Sequence, residues 1–169
     1  METLEAILTR RSIRRYTGDG IESEDLKKLL EAAMAAPSAG NQQPWQFIAI
    51  TDRQLLKRIP DVHPHAQMVP SAAAGIVVCA DTTSERYPDY WIQDSAAATQ
   101  NILLAAHGIG LGAVWLGIHP RQARVEAFRE LFGIPAHVTP LSMVSIGHPA
   151  ERKPPANRFD PARIHYNVW

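Results

Sequence analysis

The sequence predicts an α+β protein in which a mixed or antiparallel sheet of about four strands is flanked by helices. Two observations support this prediction. Short apolar runs are interleaved with amphipathic helical stretches, and two helical stretches precede the first apolar run. The second observation departs from the strict β-α-β order of a doubly wound fold. With 169 residues, 46% of them hydrophobic and 20% charged, the chain fits one globular domain over 1–169.

In the first half of the chain, prolines and glycines separate the predicted elements. Ser23 stands where it can cap the second helix, and two acids follow it in the first turn. The predicted elements are a helix over 4–8, a helix from Ser23 to before Pro37, a loop over 37–44, a strand over Trp45–Ile50, a helix over Arg53–Ile59, an irregular segment over Pro60–Pro70 and a strand over Gly75–Ala80.

The second half is organised around a long central helix. It is predicted over Asp94–His107, which lacks proline and glycine and is rich in alanine and leucine. Asp94 or Ser95 is expected to cap its start, and Gly108 to take the left-handed position after its end. The remaining elements are a strand over 112–118, a helix with Pro120 in its first turn and Gly133 at its end, a strand over Leu141–Ile146 and a proline-rich basic tail over 148–169.

The central helix is apolar on nearly every side, which is typical of a buried helix. One narrow line is polar, because Gln93, Gln100 and His107 are seven residues apart. Buried polar groups need partners. The line either meets a symmetry mate or a polar ligand, or belongs to a core helix whose few amides are satisfied within the chain. We expect a dimer interface here, with the tail over 148–169 packing on the partner subunit.

The overall charge argues against nucleic acid and membranes as partners. Lys+Arg and Asp+Glu both number 17, so no global basic field attracts anionic polymers or lipids. No uncharged apolar run reaches the roughly 18 residues that a membrane span needs. The single cysteine cannot form an intrachain disulfide, and the acidic N-terminus does not resemble a signal peptide. We therefore expect a cytoplasmic protein.

The densest charge cluster is Arg10-Arg-Ser-Ile-Arg-Arg15. It is either a solvated charged loop or a phosphate clamp. In an extended segment Arg10, Ser12 and Arg14 face the same way, while Ile13 points inward. A hydroxyl between guanidinium groups suits the oxygens of a phosphate.

Other motifs give weaker signals. The loop Pro37-Ser-Ala-Gly-Asn-Gln-Gln-Pro44 offers amides to a flat heterocycle, although an ordinary turn has the same composition. Gly108–Gly112 follows a helix, the wrong order for a dinucleotide loop. His63 and His65 lack further metal ligands, and Cys79 lies within a strand, so we expect no metal site and no nucleophile. No acid–base pair stands out, so a cofactor is expected to carry any chemistry.

Five segments together resemble the nitroreductase family of FMN-dependent oxidoreductases. Each is weak alone, but their order and spacing are specific and cover essentially the whole chain. They are Arg10-Arg-Ser-Ile-Arg14, Ala36-Pro-Ser-Ala-Gly-Asn-Gln-Gln-Pro-Trp-Gln-Phe47, the helix from Gln93-Asp to Gln100-Asn, Gly110-Leu-Gly-Ala-Val-Trp-Leu-Gly117 and Ile146-Gly-His-Pro-Ala-Glu with the basic tail. The resemblance implies an α+β homodimer with two FMN molecules at the subunit interface.

The resemblance also implies roles for individual residues. The flavin phosphate and ribityl end would be held by Arg10, Arg11, Ser12 and Arg14, joined by Arg158 at the phosphate. The isoalloxazine would be reached from the other subunit by Pro37, Ser38, Ala39 and Asn41. Along the ring would lie Trp115, Leu116 and Gly117, one backbone N–H meeting flavin N5. Gln67 falls near the pyrimidine edge, where family members usually have a lysine.

The implied reaction passes two electrons from NADH or NADPH through flavin N5 to a nitroaromatic, a quinone or a similar electron-poor acceptor, by a ping-pong mechanism. No side chain is expected to be catalytic, because the flavin performs the chemistry. In the loop over 82–91, Tyr90 and Trp91 are expected to shape the substrate pocket. Three alternatives remain open: a dehalogenase or flavin-fragmenting enzyme of the same fold, a non-catalytic flavin-binding or redox-sensing protein, and an anion-binding module without flavin.

Overall fold

The computed structural model describes residues 1–83 and 85–169. These residues confirm the predicted α+β arrangement of a four-stranded sheet and five α-helices. In chain order the elements are α1 (Thr3–Thr9), α2 (Ser23–Met34), β1 (Trp45–Ile50), α3 (Arg53–Val62), β2 (Ala74–Asp81), α4 (Trp91–Gly108), β3 (Gly112–Gly117), α5 (Gln122–Phe132) and β4 (Val138–Gly147), with single 3₁₀ turns over Ala39–Asn41, Val69–Ser71 and Pro161–Arg163.

The sheet has the strand order β1-β2-β4-β3, and all neighbouring strands are antiparallel. The two central strands are buried over almost their whole length because both faces of the sheet are covered. Alternate residues of β2 therefore enter different cores. Ile76 and Val78 pack with α2 and α4, whereas Val77 and Cys79 pack with α3 and α5. β3 is left at one edge, which matters for the candidate site.

The predicted caps of the central helix α4 are wrong at both ends. Tyr90 is the N-cap, and Asp94 lies inside the helix, where its carboxylate contacts another loop. At the other end Gly110, with φ +85°, takes the left-handed position predicted for Gly108. The amides of Gly110 and of the next residue donate back to carbonyls of the last turn in the Schellman pattern. The helix therefore runs further in both directions than predicted.

The boundaries of α2 and α3 also differ from the prediction. α3 continues through Pro60 to Val62, and its N-terminus is capped by the Asp52 carboxylate. Ser23 is the first residue of α2 and makes no capping hydrogen bond, since Glu22 occupies the N-cap. The predicted cap at Ser23 is therefore wrong, although the helix itself is present.

In the last third of the chain the predicted elements are present with small shifts. Gly133 follows the end of α5 with φ +65°, as predicted. Pro120 precedes α5 and does not lie in its first turn, because Arg121 is the N-cap. β4 begins at Val138, before the predicted Leu141.

Two surfaces of this single chain are apolar and exposed. The tail from Arg152 onward is exposed throughout, including Phe159 at 77% and Trp169 at 99%. The outer side of α1 exposes Leu4 and Leu8. Globular proteins rarely expose such patches without a partner. The dimer interface and the packing of the tail on a partner stay predictions. No helix of the described chain is long and apolar enough to cross a bilayer.

A substitution at Gly112 tests how tightly the segment around Ile13 packs on β3. A Cβ at Gly112 would lie 2.7 Å from Ile13 Cγ2 and 3.2 Å from Pro149 Cβ. We expect Gly112→Ala to lower the free energy of unfolding by about 1–3 kcal/mol because the segment must move. Gly108→Ala is the control, since a Cβ there has open space. Denaturant unfolding measures both; equal stability of the two variants would contradict the packing described.

Candidate functional site

The arginine segment, Arg10–Arg15, lies beside the free edge of β3. Ile13 is buried, as predicted, and its N–H donates to Ala113 O at 3.0 Å. The N–H of Arg14 donates to Glu151 Oε1 at 2.6 Å. This hydrogen bond is the main cause that lowers the pKa of Glu151 below its usual range. The chain after β4 thus fixes the backbone of the segment and leaves its arginine side chains to other partners.

The side chains of Arg10 and Arg158 line the same cavity, although the two residues are near opposite ends of the sequence. Both side chains line one cavity of about 220 Å³, together with Arg11. Burial lowers the pKa of Arg10, and the nearby charges of Arg158 and Arg11 lower it further. Like charges held this close favour an anion between them. The structure therefore brings together three of the residues predicted at the flavin phosphate.

Arg11 has a second role, which the sequence does not indicate. Its Nε donates to Pro154 O at 2.9 Å, and its Nη1 lies 3.1 Å from Leu8 O and 2.6 Å from Arg10 O. This guanidinium ties the start of the tail to α1. Its Nη2 is buried and has no partner among the residues that the structure describes. A buried guanidinium donor without an acceptor is costly, so this atom suits an anionic ligand.

A second cavity, of about 530 Å³, lies on the other side of the segment. Arg14 and Gln67 both line it, so the structure brings together two residues predicted along the flavin. Tyr16 lines it too, and burial raises the pKa of Tyr16 to about 12. Its hydroxyl lies 2.9 Å from Ile13 O and 3.1 Å from Ser145 O. Tyr16 is therefore a neutral support for the segment, and the charge facing the cavity comes from the arginines.

The edge of β3 offers free backbone groups. Ala113 O accepts from Ile13, so it points away from β4. Backbone groups alternate in direction along an antiparallel strand. The N–H groups of Trp115 and Gly117 therefore also point to the free edge. Leu116 is different: its backbone faces β4, and its side chain is buried in the core beneath.

Two side chains that the sequence does not single out for this role hold the end of β3. His63 Nε2 and Arg124 Nη1 each lie 2.9 Å from Gly117 O. His65 N–H donates to His63 Nδ1, so the proton of neutral His63 is assigned to Nε2, which donates to Gly117 O. Burial is the main cause that lowers the pKa of His63, and the Arg124 charge adds to it. Both ring nitrogens are thus engaged within the chain.

The amide-rich loop is fixed by a carboxylate of α4. Ala39 N–H donates to Asp94 Oδ1 at 2.9 Å, and Gln42 Nε2 donates to Asp94 Oδ2 at 2.8 Å. Ser38 Oγ accepts from a backbone N–H within the loop. Of the four residues predicted to reach the ring, two are exposed and two are half-buried; these are Pro37 and Asn41, and Ser38 and Ala39. The loop therefore exposes Asn41 and Gln43, while Ala39 and Gln42 hold it on α4.

The two residues predicted to shape the substrate pocket lie in different environments. The side chain of Tyr90 is 47% exposed and near Tyr87. Trp91 is only 8% exposed, and its ring packs against His119 at a centroid distance of 4.9 Å. The predicted loop over 82–91 also includes Ser84, which lies outside the described residues.

The two halves of the predicted site lie at opposite ends of α4. The amide-rich loop contacts Asp94 near its start. The arginine segment is next to its end, where Thr9 Oγ1 and His107 Nε2 are 2.8 Å apart. The length of helix between these contacts is about 20 Å. A single chain thus keeps the loop and the arginine cluster apart.

The fold is α+β, and a partly buried cationic cluster of Arg10, Arg11 and Arg158 lies near the free edge of its sheet. The nitroreductase family model matches residues 7–63 and 62–148, so the chain belongs to the nitroreductase family.

Relatives and solved structures named as nitroreductases match nearly the whole of this chain. Two relatives share the name "Putative NADH dehydrogenase/NAD(P)H nitroreductase". The one from Methanothermobacter thermautotrophicus is 50% identical over 169 residues, covering all of this chain and 88% of the relative. The one from Archaeoglobus fulgidus is 51% identical over 172 residues, covering 99% of both. A solved FMN-dependent nitroreductase from Clostridium difficile has a TM-score of 0.91 at 30% identity, covering 98% of this chain and 99% of that one.

His63 gives the site a pH dependence with a definite sign. Because burial lowers the pKa of folded His63, the unfolded chain binds a proton first as the pH falls. The stability from neutral His63 is complete above an unfolded pKa of about 6.5 and declines below it, by at most about 1.4 kcal/mol per pH unit.

Denaturant unfolding between about pH 7.5 and 5.5 measures this contribution. The stability difference between wild type and His63→Gln should shrink as the pH falls. Gln54→Ala is the control, because Gln54 is exposed on α3 and carries no titratable group, so its difference from wild type should stay constant. A constant difference for both variants would refute the assignment of a neutral, buried His63.

Proposed function

We propose that this chain passes two electrons from NADH or NADPH through FMN to an electron-poor acceptor such as a nitroaromatic or a quinone. The chain is an NAD(P)H-dependent FMN oxidoreductase of the nitroreductase family. The observation that carries the proposal is the cationic cluster beside β3. It contains a buried guanidinium N–H without an acceptor among the described residues, next to two further arginines in one cavity.

The residues present fit the phosphate end of FMN. Arg10, Arg11 and Arg158 surround a small cavity in which their positive charges need an anion. A phosphate oxygen can accept from the free N–H of Arg11 while Arg10 and Arg158 offer bidentate donors. Lys153 Nζ donates to Ser12 O at 2.7 Å and so fixes the backbone of Ser12, whose hydroxyl is proposed to join the phosphate.

The residues near the second cavity fit the ring. Arg14 and Gln67 line a space large enough for part of a flat heterocycle and offer donors to its carbonyl oxygens. The free N–H groups of Trp115 and Gly117 are proposed to face the ring, with one of them donating to flavin N5. Leu116 would contribute to flavin binding through the position of its backbone, which is paired with β4. Gln67 is uncharged, so it would stabilise a reduced, anionic ring less than a lysine would.

A second copy is proposed to complete the site. The loop residues predicted at the ring lie about 20 Å from the arginine cluster along α4; they are Pro37, Ser38, Ala39 and Asn41. A homodimer with α4 at its interface would bring the loop of one copy to the arginines of the other. The exposed apolar tail over 148–169 would then pack on the partner, which removes its exposed aromatic side chains from water.

The residues at the phosphate and ring ends would hold FMN, which would supply the redox chemistry between the nicotinamide donor and the acceptor. The side chains of this protein bind, orient and exclude water, and no acid–base pair is assigned to the reaction. Donor and acceptor would occupy one pocket in turn, which gives a ping-pong mechanism. The single, buried Cys79 agrees with a reducing compartment, and we propose the cytoplasm.

The first test is the visible absorbance of purified protein during anaerobic addition of NADH and then NADPH. We expect a flavin spectrum that bleaches with at least one donor and returns when a quinone or nitroaromatic is added. A spectrum that persists would favour a non-catalytic flavin-binding protein. A colourless protein that takes up no added FMN would refute the proposal.

Arg158 tests the phosphate site. Because charge-assisted hydrogen bonds contribute about 1.5–3 kcal/mol each, Arg158→Ala should raise the FMN dissociation constant about 10- to 100-fold. Riboflavin, which lacks the phosphate, should bind wild type and variant alike. Arg163→Ala is the matched tail control, since Arg163 pairs with Asp160 on the surface. Equal FMN affinity of Arg158→Ala and Arg163→Ala would exclude Arg158 from the phosphate site.

A further inference from the structure

A buried carboxylate organises the start of α4. Asp94 is only 4% exposed, in a helix that continues with three consecutive alanines at positions 96–98. It accepts from Ala39 N–H with one oxygen and from Gln42 Nε2 with the other. A buried carboxylate is costly without such donors. Asp94 therefore determines which way the amide of Gln42 points, with its NH₂ group toward the carboxylate.

The other end of the Gln42 amide holds a second loop. Its Oε1 accepts from the N–H groups of Arg86 and Tyr87, both at 3.2 Å. Gln42 is thus the middle of a chain of hydrogen bonds that begins at Asp94 and ends on the backbone before α4. One amide connects the loop proposed to contact the flavin with the loop that precedes α4.

The aromatic side chains of the second loop lie directly against the first. A Cβ placed on Gly40 would collide with the ring of Tyr87, so the ring covers this glycine. The rings of Tyr87 and Tyr90 meet edge to face at a centroid distance of 6.4 Å. Glu85 Oε1 accepts from Trp91 N–H and fixes the far end of the loop. The position of both exposed tyrosines therefore depends on the hydrogen bonds that hold this loop.

We propose that Gln42 is a positioning residue that determines acceptor specificity. It holds Tyr87 and Tyr90 as a wall beside the flavin loop, so that acceptors with a second fused ring contact this wall and single-ring acceptors do not. This inference rests on the proposed function. Gln42 touches neither acceptor nor flavin itself; it acts through the two tyrosines, and Asp94 fixes its orientation.

Gln42→Met tests the inference, because methionine has a similar length and makes none of the three hydrogen bonds of the glutamine amide. The two hydrogen bonds lost to the loop before α4 correspond to about a tenfold change, so the KM for menadione should rise about tenfold while that for 1,4-benzoquinone stays within about twofold. The two KM values are measured at equal FMN occupancy and compared as a ratio, because Gln42 also helps to hold the flavin loop on Asp94. Gln54→Met, on the exposed side of α3, is the control and should match wild type throughout.

An exchange of the two side chains gives a sharper test. In Gln42→Glu two carboxylates face each other, and in Asp94→Asn two NH₂ groups do, so each single variant should lose the selectivity for menadione. In the double variant the new amide at position 94 can donate to the new carboxylate at position 42 and accept from Ala39 N–H. That carboxylate can still accept from Arg86 and Tyr87. We expect the double variant to recover the wild-type ratio of the two KM values. Failure to recover it would contradict the inference.

Hydrogen exchange at the amides of Arg86 and Tyr87 provides a readout independent of turnover. These amides should be protected in wild type, exposed in Gln42→Met and protected again in the double variant. Unprotected amides in wild type, or lost protection without a change in the KM ratio, would overturn the inference. If wild type is not reduced by NADH or NADPH, the proposed function fails instead, and hydrogen exchange still reports whether Gln42 holds the loop.

Discussion

The unpaired edge of β3 is the constraint on which the candidate site depends. A strand at the edge of a sheet leaves every second backbone group without a ladder partner. Here the N-terminal segment takes one of these groups at Ala113, and His63 with Arg124 takes another at Gly117. Between Ala113 and Gly117, the backbone groups that point to this edge remain available to a ligand. The arginines are near this edge because Ile13 must be buried against it.

Much of the fold can be predicted from the sequence because the local signals are strong. β2 is a nearly continuous apolar run, and α4 combines alanine-rich composition with a length that only a helix explains. The errors fall where a tertiary contact replaces a local rule. Asp94 has the composition of a cap but binds another loop, and Gly110 ends α4 because its amide and the next one reach back to the last turn.

The candidate site is less predictable from local pattern. The cluster Arg10–Arg15 stands out by charge, but its meeting with Arg158 depends on how the chain after β4 returns along β3. Only the resemblance to a family indicates that contact. Gln42 and His63 give no local signal for their roles, because their partners are distant in sequence. The single acidic residue of α4, Asp94, is the available sign, and local rules interpret it as a cap.

The separation of the loop and the arginine cluster along α4 has a genetic consequence in the proposed homodimer. Each site would take its arginines from one copy and its amide loop from the other. A subunit defective in the arginines and a subunit defective in the loop would then form a mixed pair with one intact site and one doubly damaged site. Two inactive alleles of such a gene would restore activity when expressed together, which is intragenic complementation between lesions in a single polypeptide.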